Sequence, residues 1–386
     1  MTTAAATMDP VLLPAGVRSR IVRGINGLDI HVLEAGFETP GQPCLLLLHG
    51  FPELAYSWRK VMAPMAALGF HVVAPDQRGY GLTTGWDGGY DGDLASFRLL
   101  NLARDAIGLV FALGYREVAA VVGHDFGSPV AAWCGLVRPD VFRKVVLMSA
   151  PFPGPPELPF DTADAPTANQ VDRAAALDAG LAALDPPRKH YQHYYSTREA
   201  DADMLGAPQG LHAFLRAYYH VKSADWPANR PYPLAAWAAS ELGKLPTYYV
   251  MQRDRGMAAT VAPEAPSASQ IAACAWLTEP EMVVYAESFA HTGFQGGLQW
   301  YRCQMVPSFI AEMQTWSGRT IDQPSLFIAG ASDWGVHQSP GVFGRMQSHA
   351  CTRMLGAHLV PGAGHWVQQE QPRAVIALIA NFLAAA

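Results

Sequence analysis

The sequence predicts an α/β fold, in which a mostly parallel sheet carries helices on both faces and a mainly helical insertion interrupts the chain. Three observations predict it. Short β-branched or leucine-rich runs recur between Gly, Pro and Asp residues, stretches with helical apolar spacing separate several of them, and this alternation stops after residue 156 and resumes only near residue 324. Strands that alternate with helices form parallel sheets, because each crossover helix packs on a face of the sheet.

The individual elements follow from these runs. Buried strands are predicted at residues 44–48, 71–74, 118–122, 144–148, 326–329 and 358–360. Helical spacing is present at residues 58–68 and 99–113, and a closing helix is predicted at residues 375–383. Residues 21–22 and 30–32 flank the turn signal Asn26-Gly27, which predicts an antiparallel hairpin that leads into the sheet.

The stretch without strand rhythm is rich in Ala, Tyr, Trp and His, so we predict a mainly helical lid over the sheet. Its proline-rich entry at residues 151–156 and a loop-like segment at residues 259–267 indicate an excursion from the core rather than a separate domain joined by linkers. The predicted organisation is a core made of residues 1–152 and 319–386, with the lid at residues 153–318.

The charge and cysteine content exclude several classes of function. The 386 residues include 27 basic and 33 acidic ones, and no Lys/Arg cluster is present that would neutralise a nucleic-acid backbone or an anionic membrane surface. The five cysteines are scattered and odd in number, which is typical neither of a disulfide framework nor of a metal site. We therefore expect no nucleic-acid or membrane partner and no metal.

The N-terminal residues MTTAAATMDP lack a basic region followed by an apolar stretch, and no apolar run approaches the roughly 20 residues that cross a bilayer. Together with the cysteine pattern, this predicts a cytoplasmic protein. The sequence leaves the oligomeric state open, with a homodimer as one alternative.

The segment VVGHDFGS at residues 121–128 follows a predicted strand and precedes an apolar helix. Glycines at 123 and 127 flank its central triplet, as a sharp, crowded turn between strand and helix requires. Such a turn is typical of a nucleophile elbow and projects its central side chain, here the carboxylate of Asp125, above the carboxyl edge of the sheet. By itself, the motif favours an Asp that only caps the following helix.

Two further motifs change this interpretation, because they occur in the order nucleophile, acid, histidine that the elbow architecture requires. Asp333 comes just past a predicted strand, where a loop carboxylate can accept a hydrogen bond from an imidazole. His365 follows in a glycine-lined loop after the next predicted strand. Because open α/β sheets place their ligands at the carboxyl ends of the strands, Asp125, Asp333 and His365 are predicted to form one active site.

An oxyanion hole is predicted from the segment HGFP at residues 49–52, which follows the strand at residues 44–48. In this arrangement the main-chain N–H of Phe51 pairs with that of Phe126, the residue after the nucleophile. The prediction concerns the backbone, so it does not depend on whether either ring also belongs to the core.

Along nearly its whole length the chain resembles the epoxide hydrolases of the α/β-hydrolase superfamily. The motifs that carry the resemblance are HGFPE at residues 49–53, DQRGYG at 76–81, GHDFG at 123–127 and GHW at 364–366. The resemblance implies the α/β-hydrolase fold and an aspartate nucleophile. It also implies hydrolysis of an epoxide to a vicinal diol.

The same resemblance implies two tyrosines that act from the lid. The segment GLQWYR at residues 297–302 is similar to the one that supplies the first of them, which assigns Tyr301. The run HYQHYY at residues 190–195 matches the other and assigns Tyr191. Other tyrosines near in sequence remain alternatives for this second role, namely Tyr194, Tyr195, Tyr218 and Tyr219.

The implied reaction suits these residue types. An ionised carboxylate can displace at a tetrahedral carbon without a base, and two phenols can donate to the alkoxide as its charge develops. His365, oriented by Asp333, can then activate water to cleave the ester on Asp125. No metal or organic cofactor is needed, and the expected partner is a small-molecule epoxide.

Three alternatives compete with this interpretation. Haloalkane dehalogenases share the aspartate but hold the halide with ring N–H donors, and fluoroacetate-type dehalogenases place an Arg after the nucleophile; Phe51 and Phe126 provide neither. A non-catalytic ligand receptor on the same fold is disfavoured by the intact Asp125, Asp333 and His365. A serine esterase is disfavoured because Ser128 falls inside the predicted helix.

Overall fold

The computed structural model describes residues 8–158 and 170–385. The strands within these ranges are β1 (Val17–Ile25), β2 (Leu28–Ala35), β3 (Cys44–Leu48), β4 (His71–Pro75), β5 (Ala120–His124), β6 (Val145–Met148), β7 (Arg188–His190), β8 (Val250–Gln252), β9 (Ser325–Gly330) and β10 (Met354–Val360). All except β7 and β8 form one sheet, in the order β1-β2-β4-β3-β5-β6-β9-β10.

Most of this sheet is parallel. The β1–β2 and β2–β4 pairs are antiparallel, and the pairs from β4 to β10 are parallel. Every residue of β3, β5, β6 and β9 is buried, as expected for central parallel strands that are covered on both faces. The predicted α/β fold is therefore confirmed.

The helices of the core are α1 (Arg59–Ala67), α2 (Leu99–Ala112), α3 (Gly127–Val137), and, after the insertion, α14 (Val342–Arg345), α15 (Val367–Glu370) and α16 (Pro372–Ala385). Helix α1 packs against α16, and α2 against α3, while α3 contacts both β5 and β6. The helices predicted at residues 58–68, 99–113 and 375–383 agree with α1, α2 and α16 to within three residues.

The insertion contains α4 (Gln170–Ala182), α5 (Tyr191–Tyr195), α6 (Glu199–Leu205), α7 (Leu211–Lys222), α8 (Ala239–Leu242), α9 (Met257–Val261), α10 (Ala268–Ala273), α11 (Glu279–Thr292), α12 (Gln295–Cys303) and α13 (Pro307–Met313). The antiparallel pair β7–β8 adds a small ribbon to it. The predicted lid boundaries at residues 153 and 318 remain predictions, and residues 159–169 of the predicted lid lie outside the described residues.

Two local predictions are wrong. Residues 259–267 are not simply a loop, because Met257–Val261 forms α9, which packs against α6 and α7, and Ala262–Glu264 continues as a 3₁₀ turn that tolerates its proline in the first positions. The strand at residues 358–360 is not buried. It belongs to β10, the last strand of the sheet, and exposes Leu355 and Leu359.

No helix among the described residues is long and apolar enough to span a bilayer.

Candidate active site

Asp125 lies at the turn between β5 and α3, with a backbone φ of 52°. This left-handed conformation is costly for a residue other than glycine and persists only where the surroundings fix it. The two flanking glycines are required by close packing, since a Cβ at Gly123 would lie 2.0 Å from the carbonyl oxygen of Gly127, and a Cβ at Gly127 would lie 2.3 Å from that of Leu48. The strained turn therefore presents the Asp125 carboxylate at the carboxyl end of the sheet.

The structure brings the three predicted polar residues together. Nε2 of His365 lies 3.1 Å from Oδ2 of Asp125, and Nδ1 lies 3.1 Å from Oδ1 of Asp333. Asp333 follows β9 and His365 follows β10, so adjacent parallel strands deliver the acid and the histidine to the edge where the β5 turn presents Asp125. All three side chains are almost completely buried.

The electrostatics of the three residues are coupled. Burial raises the pKa of Asp125 and Asp333, but the hydrogen bonds and charge of His365 outweigh burial and hold both pKa values below their ordinary range. Burial lowers the pKa of His365, whereas the charge of Asp333 and hydrogen bonds to both carboxylates raise it to about 9. At neutral pH the site thus holds an imidazolium between two carboxylates.

The backbone beside His365 is held by a second histidine, His124. Its Nδ1 lies 2.5 Å from Oε2 of Glu53 and its Nε2 lies 2.7 Å from the carbonyl oxygen of His365. Burial raises the pKa of Glu53, but the charge and hydrogen bond of His124 outweigh burial and hold that pKa below its ordinary range, so Glu53 is the carboxylate partner of His124. Glu53 also accepts from the backbone N–H of Gly50 and from the side chain of Gln368. This buried pair connects the loop after β3, the elbow and the histidine loop.

Both residues of the predicted oxyanion hole lie beside Asp125, and the role of their N–H groups toward an oxyanion stays a prediction. The N–H of Phe51 donates to Oδ1 of Asp125 at 2.9 Å. Phe126 lies at the start of α3 as predicted, yet its N–H makes no hydrogen bond to Asp125. Oδ1 therefore accepts a hydrogen bond from one main-chain N–H, while Oδ2 faces Nε2 of His365.

Two lid tyrosines lie over this carboxylate. The ring of Tyr301, on α12, makes edge contacts with Phe51 and Phe126, at 5.5 and 5.1 Å between centroids. The ring of Tyr191, on α5, lies 6.0 Å from that of Tyr301. Burial raises the pKa of both phenols, and the charge of Asp125 is the next largest cause for each of them.

The hydroxyl groups of the two phenols differ. Among the described residues, none receives or donates a hydrogen bond at Oη of Tyr301. Oη of Tyr191 donates to Oε1 of Gln338 at 3.2 Å and accepts from Nε2 of Gln192. Tyr195 also contacts Tyr301, but the charge of Asp125 is a leading cause of the raised pKa of Tyr191 and is not one of the main causes for Tyr195, which favours Tyr191 as the second phenol.

Comparison with known proteins is consistent with this geometry. Residues 43–372 match the family model described as the alpha/beta hydrolase fold. The chain is 32% identical to Epoxide hydrolase A of Mycobacterium tuberculosis, over 93% of this chain and 95% of the relative, and 28% identical to Epoxide hydrolase B of the same organism, over 95% and 98%. The chain belongs to the epoxide hydrolases of the α/β-hydrolase fold.

Solved structures of epoxide hydrolases superpose on nearly the whole chain. One from an endophytic Streptomyces has a TM-score of 0.75 at 29% identity, covering 96% of each chain. Potato (Solanum tuberosum) epoxide hydrolase I has a TM-score of 0.70 at 28% identity, covering 96% of this chain and all of the other.

Other polar side chains near the nucleophile already donate hydrogen bonds to backbone carbonyl groups. Oγ of Ser128 donates to the carbonyl oxygen of Ala150 inside the elbow, so it is not available as a nucleophile. The indole N–H of Trp300 donates to the carbonyl oxygen of Arg78. Among the described residues, no group of three His, Cys, Asp or Glu side chains is arranged to hold a metal ion.

Sequence reasoning missed two contributions to this epoxide hydrolase site. Glu53 belongs to the HGFPE motif, but only the folded structure shows that it pairs with His124. Lys222, the last residue of α7, lies close enough for its charge to lower the pKa of Asp125 and His365. No local pattern marks Lys222, since apart from Tyr218 on the same helix the rings around it come from distant segments of the lid.

Proposed function

We propose that the chain converts an epoxide and water to a vicinal diol through an ester on Asp125. The observation that carries the proposal is an aspartate at the elbow with two phenols above it and a separate His365–Asp333 pair beside it. A hydroxyl nucleophile would need that base from the start. A carboxylate held in its ionised form does not.

In the first step, Oδ2 of Asp125 attacks a ring carbon of the epoxide. Oδ1 accepts from the N–H of Phe51 and Oδ2 faces Nε2 of His365; attack through Oδ2 keeps the Phe51 donor on Oδ1, where negative charge collects in the second step. The breaking C–O bond leaves an alkoxide, to which Tyr301 and Tyr191 donate as the charge develops. For Tyr191, this requires exchange of its hydrogen bond to Gln338.

In the second step, His365 removes a proton from water, which attacks the carboxyl carbon of the ester. Alkylation neutralises Asp125 and so removes one of the groups that raise the pKa of His365, which favours the base form. Negative charge then collects on Oδ1, where the N–H groups of Phe51 and Phe126 are proposed as donors. Collapse of this intermediate breaks the bond between the carboxyl carbon and Oδ2, and His365 returns its proton to Oδ2, so that the diol leaves and the carboxylate of Asp125 is restored. Asp333 orients the imidazole and stabilises its cation.

The side chains argue against a dehalogenase. The side chains of Phe51 and Phe126 carry no N–H at the places where haloalkane dehalogenases have side-chain halide donors. The nearby indole of Trp300 is committed to a backbone carbonyl. The intact catalytic set likewise disfavours a ligand receptor.

The test is diol formation from styrene oxide by the purified protein and by Asp125→Ala. We expect diol from the wild type and none above background from the variant. Absence of diol from a panel of epoxides of different size would overturn the proposal.

Two further proposals concern the cellular setting and assembly. A cytoplasmic, reducing location is supported by the five cysteines, all of which are free. A homodimer is proposed only as the alternative to a monomer, and light scattering of the purified protein would distinguish the two.

A further inference from the structure

Lys222 is a buried lysine whose ammonium group lies among tyrosine rings. The residue is 3% exposed, and Nζ lies 4.8, 5.2 and 5.8 Å from the ring centroids of Tyr249, Tyr218 and Tyr248. Tyr191, the proposed second phenol, is the fourth ring, at 5.9 Å. Lysine is rarely buried without a partner, so this environment requires an explanation.

The position of Lys222 is fixed against the catalytic loop. Its carbonyl oxygen accepts the N–H of His365 at 2.8 Å. Nδ2 of Asn229 donates to the carbonyl oxygen of Val221, and Oη of Tyr248 donates to Asn229. The carbonyl groups at the end of α7 are thus occupied by other donors, and the ammonium group is not needed to cap the helix.

The ammonium group has hydrogen-bonding capacity that the described residues do not use. It carries three N–H donors. Within the described ranges, no carboxylate oxygen lies within 4 Å of Nζ and no acceptor receives a hydrogen bond from it. The ring faces attract the cation but do not replace these hydrogen bonds. A buried cation with unused donors, beside the reacting groups, is suited to bind an acceptor that arrives with the substrate.

The charges around the site determine which acceptor fits. Asp125 and Asp333 carry two negative charges against the one positive charge of His365, so without Lys222 the site would repel an anionic substrate. Lys222 offsets this excess and, among the described residues, has no carboxylate partner within 4 Å. One ammonium group balances one negative charge, which matches a carboxylate rather than a doubly charged phosphate. We propose that Lys222 binds the carboxylate of an epoxide substrate and so makes the enzyme selective for epoxy acids. This inference rests on the proposed epoxide hydrolysis.

The experiment compares 3-phenylglycidate with its neutral amide, 3-phenylglycidamide, which has nearly the same shape. We expect Lys222→Met to lower the ratio of the two kcat/KM values, acid over amide, by roughly 10- to 100-fold, because a charge-assisted hydrogen bond is lost. Lys222→Arg should keep most of the ratio. Lys189→Met is the matched control, because Lys189 also lies over a tyrosine ring of the lid, that of Tyr194, and should leave the ratio unchanged.

An unchanged ratio in Lys222→Met would overturn the inference, and so would an equal fall in Lys189→Met. Should Lys222→Met not fold, inhibition of the wild type by cinnamate and cinnamamide decides instead, since the inference requires the acid to bind more tightly. Turnover of styrene oxide, which carries no carboxylate, distinguishes failure of this inference from failure of the proposed function. If styrene oxide is hydrolysed but Lys222→Met leaves the acid-over-amide ratio unchanged, only the role of Lys222 is contradicted, whereas no turnover of any epoxide by the wild type contradicts the proposed function.

Discussion

His365 and Asp125 face each other across 3.1 Å, and the same imidazole contacts Asp333 through its other nitrogen. The two carboxylates therefore stabilise the cationic form of the histidine until alkylation neutralises Asp125. This arrangement separates the two proposed steps, because formation of the ester removes the Asp125 charge and so lowers the pKa of His365.

The first prediction concerns the pH dependence of stability. The pKa of His365 is raised from 6.5 to about 9 in the folded protein, so its contribution to stability is fully present below about pH 6.5 and is lost as the pH rises through 9. We expect the free energy of unfolding of the wild type to fall over this range, by on the order of 3 kcal/mol. Urea denaturation at a series of pH values measures it.

The control for this prediction is His365→Gln, which cannot hold the proton. Its unfolding free energy should change much less between pH 6.5 and 9. Equal losses in both proteins would assign the effect to other groups.

The second prediction concerns the buried pair of Glu53 and His124. Glu53→Gln removes the carboxylate from the buried pair with His124, and breaking one half of a buried ion pair costs about 3–5 kcal/mol. Chemical denaturation at neutral pH should show this loss. Glu157→Gln, which breaks an exposed pair with Arg345, is the control and should cost less than about 1 kcal/mol. Similar losses in both variants would argue against an ion pair at His124.

The third prediction concerns the lid tyrosines. Tyr301→Phe and Tyr191→Phe each remove one proposed donor to the alkoxide, so we expect each to slow alkylation of Asp125 by roughly 10²-fold. Tyr195→Phe is the matched control, since its hydroxyl bonds to that of Tyr218, and should change the rate little. Single-turnover kinetics measures alkylation directly. An unchanged rate in either of the first two variants removes that tyrosine from the reaction.

The fourth prediction concerns halogenated substrates. Because the rings of Phe51 and Phe126 offer no donor to a halide, we expect no useful turnover of haloalkanes. Bromide release from 1-bromobutane is measured beside diol formation from styrene oxide with the same preparation. Comparable rates would contradict the reaction class proposed for this chain.

The sequence was sufficient where function depends on short motifs. The order of Asp125, Asp333 and His365 along the chain predicted a cluster that the structure indeed brings together, because parallel strands deliver their carboxyl ends to one edge. Buried apolar runs predicted the central strands, because parallel strands that are covered on both faces are apolar along their length. The edge strand β10 was misjudged as buried, since periodicity does not reveal a strand's place in the sheet.

Long-range contacts in the lid were beyond sequence reasoning. The sequence leaves several neighbouring tyrosines as candidates for the second phenol, and only the fold shows that the charge of Asp125 acts on Tyr191. The rings around Lys222 come from β7–α5, from α7 and from the segment before β8, so no local pattern joins them. These contacts depend on how the lid folds over the core.

The last prediction tests the covalent route itself. If His365 acts only on the ester, His365→Ala should still be alkylated by styrene oxide and should gain the mass of the substrate on the peptide that contains Asp125, whereas Asp125→Ala should gain nothing. In heavy-oxygen water, one turnover of the wild type should place the label in the Asp125 carboxylate, because Oδ2 leaves with the first diol and water supplies its replacement. Direct attack of water on the epoxide predicts the reverse. The label would then appear in the first diol, His365→Ala would carry no adduct, and Asp125 would act only as a general base.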